Sequence, residues 1–252
     1  MTAFTPEWRI KIDGDNLTAI TLVGLTINSG RTNINTQPQA SYCQLELINT
    51  NNTDYGFDIN AALTVELKDS TATYVPIFGG KISDVSVGVR AAGSNAYVTS
   101  YQITALGALA KLQKAVWTSA LSQDDDGDQI YTILSDLLLN TWNEVSASQT
   151  WAAYNPATTW ATAENIGLGE IDQPGQYEME QRAANPIDYY SIVSQIANSA
   201  LGYIYEDSNG NIGYADSAHR TTYLAANGYV DLSANDALAL GIRATIRQGA
   251  LV

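Results

Sequence analysis

The strongest constraint on the fold is an alternation of apolar and polar residues that recurs through the first 106 residues. Apolar and polar residues alternate strictly from Cys43 to Leu47. Because successive side chains of a strand point to opposite faces, this pattern predicts a strand with one buried face. Five further strand-like segments follow the same rule or supply an apolar run, and Gly79-Gly80 is expected to break one of them. The five segments are EWRIKID, TAITLVGLTIN, ALTVELK, IFGGKISDVSVGVR and AYVTSYQITAL.

Turns rich in Gly, Asn and Asp separate these segments. Short strands joined by such turns indicate an antiparallel sheet. We therefore expect residues 1–106 to form a small antiparallel β-barrel or sandwich module.

Helical periodicity replaces the alternation after residue 106. GALAKLQK is a short helical candidate, and DDDGDQIYTILSDLLLN is a longer one whose apolar residues share one helix face. That face consists of Ile130, Ile133, Leu134, Leu137 and Leu138. Residues 107–252 are thus expected to form a second, mixed module, so that the chain is mainly β with an α+β part.

A third helix is expected at 186–200. Asn185 is a favourable N-cap, and Pro186 suits the first helical position because its missing N–H has no helical partner there. Apolar residues recur at helical spacing, and Gly202 is expected to end the helix as a C′ glycine.

The third helix leads into a hairpin expected at 202–216. Asn209-Gly210 stands between two short β-rich runs, and this dipeptide is the strongest local signal for a hairpin turn. The last residues, LGIRATIRQGALV, are typical of the start of a further barrel strand.

The charge balance argues against two classes of partner. The chain carries 26 acidic residues against 12 Lys and Arg, a net charge of −14. A sequence-specific DNA-binding face or a surface for anionic lipids would need clustered positive charge. Neither a secretory signal nor a long apolar span is evident, so synthesis in a cytoplasm is expected. The single cysteine, Cys43, lies at an alternating apolar position and is interpreted as a buried, inert thiol.

The acidic run at 124–128 invites a calcium-site interpretation. A calcium-binding loop aligned on Gly127 would place Ser122 first and Ile133 last, and isoleucine cannot bind the ion. Carboxylates at a helix start more commonly cap free N–H groups and oppose the helix dipole. Capping is therefore favoured, and no metal site is predicted.

The candidates for catalysis are weak. His219 is the only histidine, its flanking sequence is typical of an exposed turn, and no G-x-S-x-G motif surrounds a serine. Paired carboxylates could in principle serve a glycosidase, but 26 acidic residues make chance pairs inevitable. The carboxylates considered are Glu164, Glu170, Asp172, Glu178 and Glu180. No catalytic residue and no cofactor are predicted.

Three of the five tryptophans fall in the irregular, Trp-rich loop 141–175. Trp142, Trp151 and Trp160 recur at a spacing of nine, which alternates faces in both a helix and a strand. No regular element would therefore present them as one aromatic platform. We interpret them as loop and interface anchors, and a loop-built sugar site is the alternative.

The order of segments resembles the hub-type minor tail proteins of long-tailed bacteriophages, which are related to the baseplate hubs of contractile phages. In that family a β module precedes a short helix with G-x-x-A-x-L, then a helix that starts near N-x-x-D and carries a later I-A pair, and a G-x-x-Y-x-D-x-x-G-x-I-x-Y-x-D hairpin. The matching residues here are Gly107, Ala110 and Leu112; Asn185, Asp188, Ile196 and Ala197; and Gly202, Tyr205, Asp207, Gly210, Ile212, Tyr214 and Asp216. Two departures stand out: family members usually continue into a completed second barrel, and the Trp-rich loop is longer than expected.

The resemblance implies a structural virion protein rather than an enzyme. A hub of this kind forms a homotrimeric ring at the distal end of the tail tube. It contacts tube, distal tail and central spike or fibre proteins, and DNA passes through its lumen. A negative lumen would let DNA slide without binding. The alternatives are a carbohydrate- or receptor-binding β protein that uses Trp142, Trp151 and Trp160, and a tail-associated cell-wall hydrolase.

Overall fold

The computed structural model describes residues 7–33, 36–51, 53–69, 71–92, 95–139 and 167–228. Contacts divide the chain into two compact units, Met1–Ser217 and Ala218–Val252. Within the described ranges, no helix is both long enough and apolar enough to cross a membrane.

The first part of the larger unit is a seven-stranded sheet in which every neighbouring pair is antiparallel. The spatial order is β2-β1-β5-β6-β7-β4-β3. Its strands are β1 (Trp8–Ile12), β2 (Asp15–Asn16), β3 (Thr21–Asn28), β4 (Tyr42–Asn49), β5 (Ala62–Lys68), β6 (Tyr74–Ala92) and β7 (Asn95–Leu106). The predicted mainly β fold with an antiparallel sheet is confirmed.

One face of this sheet is the core that the alternation predicts. In β4, Cys43, Leu45 and Leu47 are buried whereas Gln44 is exposed. Burial raises the pKa of the Cys43 thiol to about 12, so the thiol is protonated and unreactive, as expected. The outer strands β2 and β3 do not pair with each other within the described ranges, so the expected barrel is not closed.

The expected break at Gly79-Gly80 is wrong, because β6 runs without interruption through both residues. Gly79 pairs with Thr64 and Gly80 with Leu63 in β5. Glycine weakens a strand, but it also marks places where another backbone approaches closely. That second role applies here, because the backbone of Asn209 lies against Gly79.

The second part of the larger unit combines helices with three small sheets. Its helices are α1 (Leu109–Leu112), α2 (Asp126–Leu139) and α3 (Tyr189–Ser199). Its strands are β8 (Val116–Trp117), β9 (Asp124–Asp125), β10 (Leu168–Ile171), β11 (Glu178–Met179), β12 (Ile187–Asp188), β13 (Tyr203–Glu206) and β14 (Ile212–Ala215). Strand β10 therefore replaces part of the irregular loop expected at 141–175, and it pairs in parallel with β14.

A separate core joins these elements. Helices α2 and α3 face each other and both contact the small sheet of β10, β14 and β13. The apolar stripes expected on α2 and α3 supply most of the buried side chains, which supports the periodicity argument. These include Ile130, Ile133, Leu134, Leu138, Tyr189, Ile192, Val193, Ile196 and Ala197.

Helix α3 begins later than expected, so the prediction of Asn185 as N-cap is wrong. Strand β12 pairs with β8 through Ile187 and Asp188 and keeps the chain extended. Asp188 is the N-cap, and its side chain accepts a hydrogen bond from the Ser191 amide at 2.8 Å.

The end of α3 also differs from the expectation. Leu201, not Gly202, holds the left-handed conformation, with a φ of 58°. The Gly202 amide then donates to the Ala197 carbonyl at 2.8 Å, which closes a Schellman-type cap. Gly202 is needed for space instead, since an added Cβ would lie 2.5 Å from the Tyr214 hydroxyl.

The smaller unit contains one described helix, α4 (His219–Asn227). The exposed turn expected around His219 is therefore a helix start. The His219 ring stacks on Tyr223 with a centroid distance of 6.2 Å. The further barrel strand predicted near the end of the chain lies outside the described residues.

Candidate assembly surfaces

Strands β6 and β7 form a hairpin that extends beyond the strands on either side of it. Strand β5 pairs with β6 only from Tyr74 to Lys81. Strand β4 pairs with β7 only from Thr99 to Leu106. In the part of the chain that the structure describes, β6 from Ser83 onward forms backbone hydrogen bonds only with β7. One edge of β6 is therefore open to another strand.

A β-bulge at Ser83 keeps the core face of β6 continuous along this extension. Ile82 lies opposite Ala105 and Val85 opposite Ile103, so Ser83 is the extra residue. The Ser83 hydroxyl donates to the Thr104 carbonyl at 3.0 Å. Without the extra residue, the valines that follow would face the other side of the sheet.

This apolar face becomes progressively exposed as the hairpin leaves the core. Ile82 is 1% exposed, whereas Val87 is 57% and Val89 is 67% exposed. Val87 lies opposite Tyr101, whose ring packs edge-on against Phe57. We call the exposed side chains of Val87, Val89 and Tyr97 the hairpin patch; Tyr97 is 46% exposed. Exposed apolar side chains beside an open strand edge are typical of an assembly interface.

A polar junction joins the seven-stranded sheet to the mixed part. The Glu206 carboxylate in β13 accepts hydrogen bonds from the Ser41 amide at 2.8 Å and the Leu109 amide at 2.5 Å. It thereby caps the start of α1, where the structure shows no capping by the local side chain. Because Gly107 lies against this carboxylate, an added Cβ there would be 2.5 Å from its oxygens. Sequence reasoning singled out Gly107 but missed Glu206.

The Gln37 side chain adds a second link across the junction. Its amide nitrogen donates to the Asn198 side chain and the Gly202 carbonyl, and its oxygen accepts from the Ile204 amide at 3.0 Å. The Gln37 side-chain amide thus hydrogen bonds to the backbone of Gly202 and Ile204, as the backbone of a neighbouring strand would. These contacts give the surfaces on both parts a defined relative position.

One residue of the acidic run, Asp126 at the start of α2, belongs to a buried polar cluster. Asp126 is fully buried, and its carboxylate accepts from the Gln176 and Tyr177 amides, both at 2.7 Å. The Tyr214 hydroxyl donates to the same carboxylate, and burial together with this bond raises the pKa of Tyr214. The Asp126 side chain thus binds amides outside α2 and not the helix N–H groups expected, although Asp126 and Asp128 both lie in the first turn of α2, as the dipole argument predicts. Among the described residues, no group of His, Cys, Asp and Glu is arranged to hold a metal ion.

Of the carboxylates considered for catalysis, Glu170 lies in β10 and Glu178 in β11. Trp142, Trp151, Trp160 and Glu164 lie outside the described residues. Of the remaining carboxylates, Asp172 is structural, since it accepts from the Asp216 amide at 3.0 Å.

Comparisons with known proteins give a fold but no sequence family. No family model and no curated protein matches the chain. The 43 kDa tail protein of prophage MuSo2 from Shewanella oneidensis is similar in structure, with a TM-score of 0.50 and 11% identity. The match covers 84% of this chain and 53% of that protein.

A tail protein from Neisseria meningitidis MC58 is similar with a TM-score of 0.51 and 9% identity, over 85% of this chain and 52% of that one. The chain thus spans about half the length of these two tail proteins. At these identities the likeness concerns the fold. The structural similarity confirms, for the fold, the resemblance to phage tail proteins that the sequence indicates.

Proposed function

We propose that this chain is a structural subunit of a bacteriophage tail, and that it acts as a hub at the distal end of the tail tube. The observation that carries the proposal is the fold shared with two tail proteins over more than four-fifths of the chain. The protein works in this proposal by assembly and not by catalysis. Its place is the tail of the virion, after synthesis in the host cytoplasm.

The hairpin patch supports an assembly role. A side chain such as Val87 or Val89 that is more than half exposed gains apolar burial when another chain covers it. The open edge of β6 can add backbone hydrogen bonds to the same contact. We propose that this surface joins copies of the chain into a homotrimeric ring.

The remaining partners in the proposal are the tail tube, distal tail and central spike or fibre proteins. DNA passes through the lumen of the ring without sequence-specific contact. The net charge of −14 supports this part, because a negative wall repels the phosphate backbone.

The test is the mass and shape of the purified chain, alone and with neighbouring tail proteins, by native mass spectrometry and negative-stain microscopy. We expect a threefold ring with a central channel. A double variant, Val87→Glu with Val89→Glu, should abolish the ring and leave the far-UV circular dichroism unchanged.

Val116→Glu is the matched control, because Val116 is 56% exposed and lies in β8, away from the hairpin patch. The Val116→Glu variant should still form the ring. A chain that stays monomeric and binds no tail protein would overturn the proposal. If the double variant still forms the ring, the proposed role of the hairpin patch is wrong.

A further inference from the structure

A cavity of about 410 Å³ opens where the sheet meets the mixed part. Strands β5, β6 and β7, helix α1 and the turn at Asn209 and Gly210 all contribute to its lining. Its volume falls within the range of about 300–1,000 Å³ that is usual for ligand pockets.

Three of the five lysines of the chain line this cavity: Lys81, Lys111 and Lys114. We call them the lysine triad. Lys81 comes from β6 and Lys111 from α1, and Lys114 lies two residues after the end of α1. Sequence reasoning missed the triad, because Lys81 stands about thirty residues from the other two and only the fold brings them together.

The triad lacks the neutralisation that the other lysines have. Lys11 is paired with Glu66 at 2.9 Å and Lys68 with Glu7 at 2.7 Å. For the triad, no carboxylate of the described residues lies within ion-pair distance. This is unexpected in a chain where acidic residues outnumber basic ones by 26 to 12.

Burial makes the unpaired charge costly. Lys111 is half-buried, and desolvation together with the charge of Lys81 lowers the pKa of Lys111. An anion bound beside Lys111 and Lys81 would relieve both effects.

The rest of the lining indicates the class of anion. Ile59, Leu106 and Ala110 are among the apolar residues of the lining, and Thr64 and Ser83 are among the polar ones. A free phosphate ion has no apolar group that could contact the apolar residues of the lining. A nucleic acid strand would need an aromatic side chain for base stacking, and the described lining contains none.

We propose that the lysine triad binds an acidic peptide segment of a partner protein, with carboxylates on the ammonium groups and an apolar side chain against Ile59 and Leu106. The identification of the partner as another tail protein rests on the proposed function. The recognition of an acidic peptide rests on the pocket alone.

The test is fluorescence anisotropy with a fluorescein-labelled hexapeptide of alternating glutamate and leucine. The triple variant Lys81→Gln, Lys111→Gln and Lys114→Gln should raise the Kd at least tenfold. The single variant Lys114→Gln, at an exposed position, should raise it severalfold even if the triple variant folds poorly. Lys68→Gln removes the same charge outside the pocket and should change the Kd less than twofold.

Several results would overturn the inference. These are no binding to the unaltered chain, equal Kd values for the unaltered chain and both pocket variants, displacement of the peptide by 1 mM inorganic phosphate, or tighter binding of a single-stranded oligonucleotide. Native mass spectrometry of the same samples distinguishes a failure of this inference from a failure of the proposed function. If the chain forms a ring but does not bind the peptide, only the peptide-binding inference is wrong. If it binds the peptide but never forms a ring, only the proposed hub role is wrong.

Discussion

The backbone of Gly79 in β6 lies directly against the backbone of Asn209 in the turn between β13 and β14. A Cβ atom added to Gly79 would be 2.4 Å from the Asn209 carbonyl carbon. Contact this close is available only to glycine, and Gly210 on the other side of it has a φ of 84°. Two glycines thus allow the hairpin turn of the mixed part to sit on the middle of a sheet strand.

Gly79→Ala should therefore loosen the contact between the two parts. The new methyl group meets backbone and not a flexible side chain, so the hairpin must shift, at a cost of about 1–3 kcal/mol. Urea unfolding followed by circular dichroism measures the change. Gly24→Ala is the control, since an added Cβ there comes no closer than 3.4 Å to a neighbour. If both variants are as stable as the unaltered chain, the close approach has no energetic role.

Glu206→Ala should destabilise the same junction through lost hydrogen bonds. The Ser41 and Leu109 amides would lose a charged acceptor, and leaving such donors unpaired costs about 1–3 kcal/mol. Glu206→Gln keeps one acceptor oxygen and should lose less. Hydrogen exchange by mass spectrometry should show faster exchange at both amides in the alanine variant. Unchanged exchange there would argue against the cap.

The sequence predicts the parts of this fold that local patterns determine. Alternation locates the strands around Cys43 and Leu63, because each strand has one face in the core. Asn209-Gly210 predicts its turn from backbone conformation alone. In contrast, Gly79 resembles a strand break in the sequence, and its real role depends on a neighbour 130 residues away.

Long-range contacts also explain the features of the candidate surfaces that sequence reasoning missed. Asp188 replaces Asn185 as N-cap because pairing with β8 keeps the preceding residues extended. Glu206 gives no local signal, since its partners are Ser41, which precedes β4, and Leu109 of α1. The sequence could not predict the hairpin patch for a related reason. Val87 alternates just as a buried residue would, and β6 runs past the first residue of β5 before it reaches Val87.

Glu66 makes the stability of the sheet depend on acid pH. Burial acts to raise the pKa of this carboxyl, but hydrogen bonds and charges from Arg9 and Lys11 outweigh it and hold the pKa below its usual value. A lowered folded-state pKa gives stability that is present above the unfolded value of about 4.3 and is lost as the pH falls through the folded value.

Glu66→Gln should thus cost about 1–3 kcal/mol at pH 7, and the difference from the unaltered chain should shrink as the pH falls below about 4.3. Urea unfolding at a series of pH values gives this difference. Glu178→Gln, at an exposed position of β11, controls for the general effect of removing a carboxylate. A difference that stays constant from pH 7 to pH 3 would refute the linkage.

Trp142, Trp151 and Trp160 remain predicted interface anchors. A buried interface tryptophan commonly contributes about 2 kcal/mol or more to binding, or roughly thirtyfold in affinity. Each single Trp→Ala variant should therefore weaken association with at least one neighbouring tail protein in a pull-down titration, with the far-UV circular dichroism unchanged. Trp8→Ala is the comparison, because Trp8 is 41% exposed in β1 of the sheet. A glycan array separates the two interpretations: specific glycan binding by the unaltered chain, lost in all three variants while tail-protein association is retained, would replace the interface role with sugar binding.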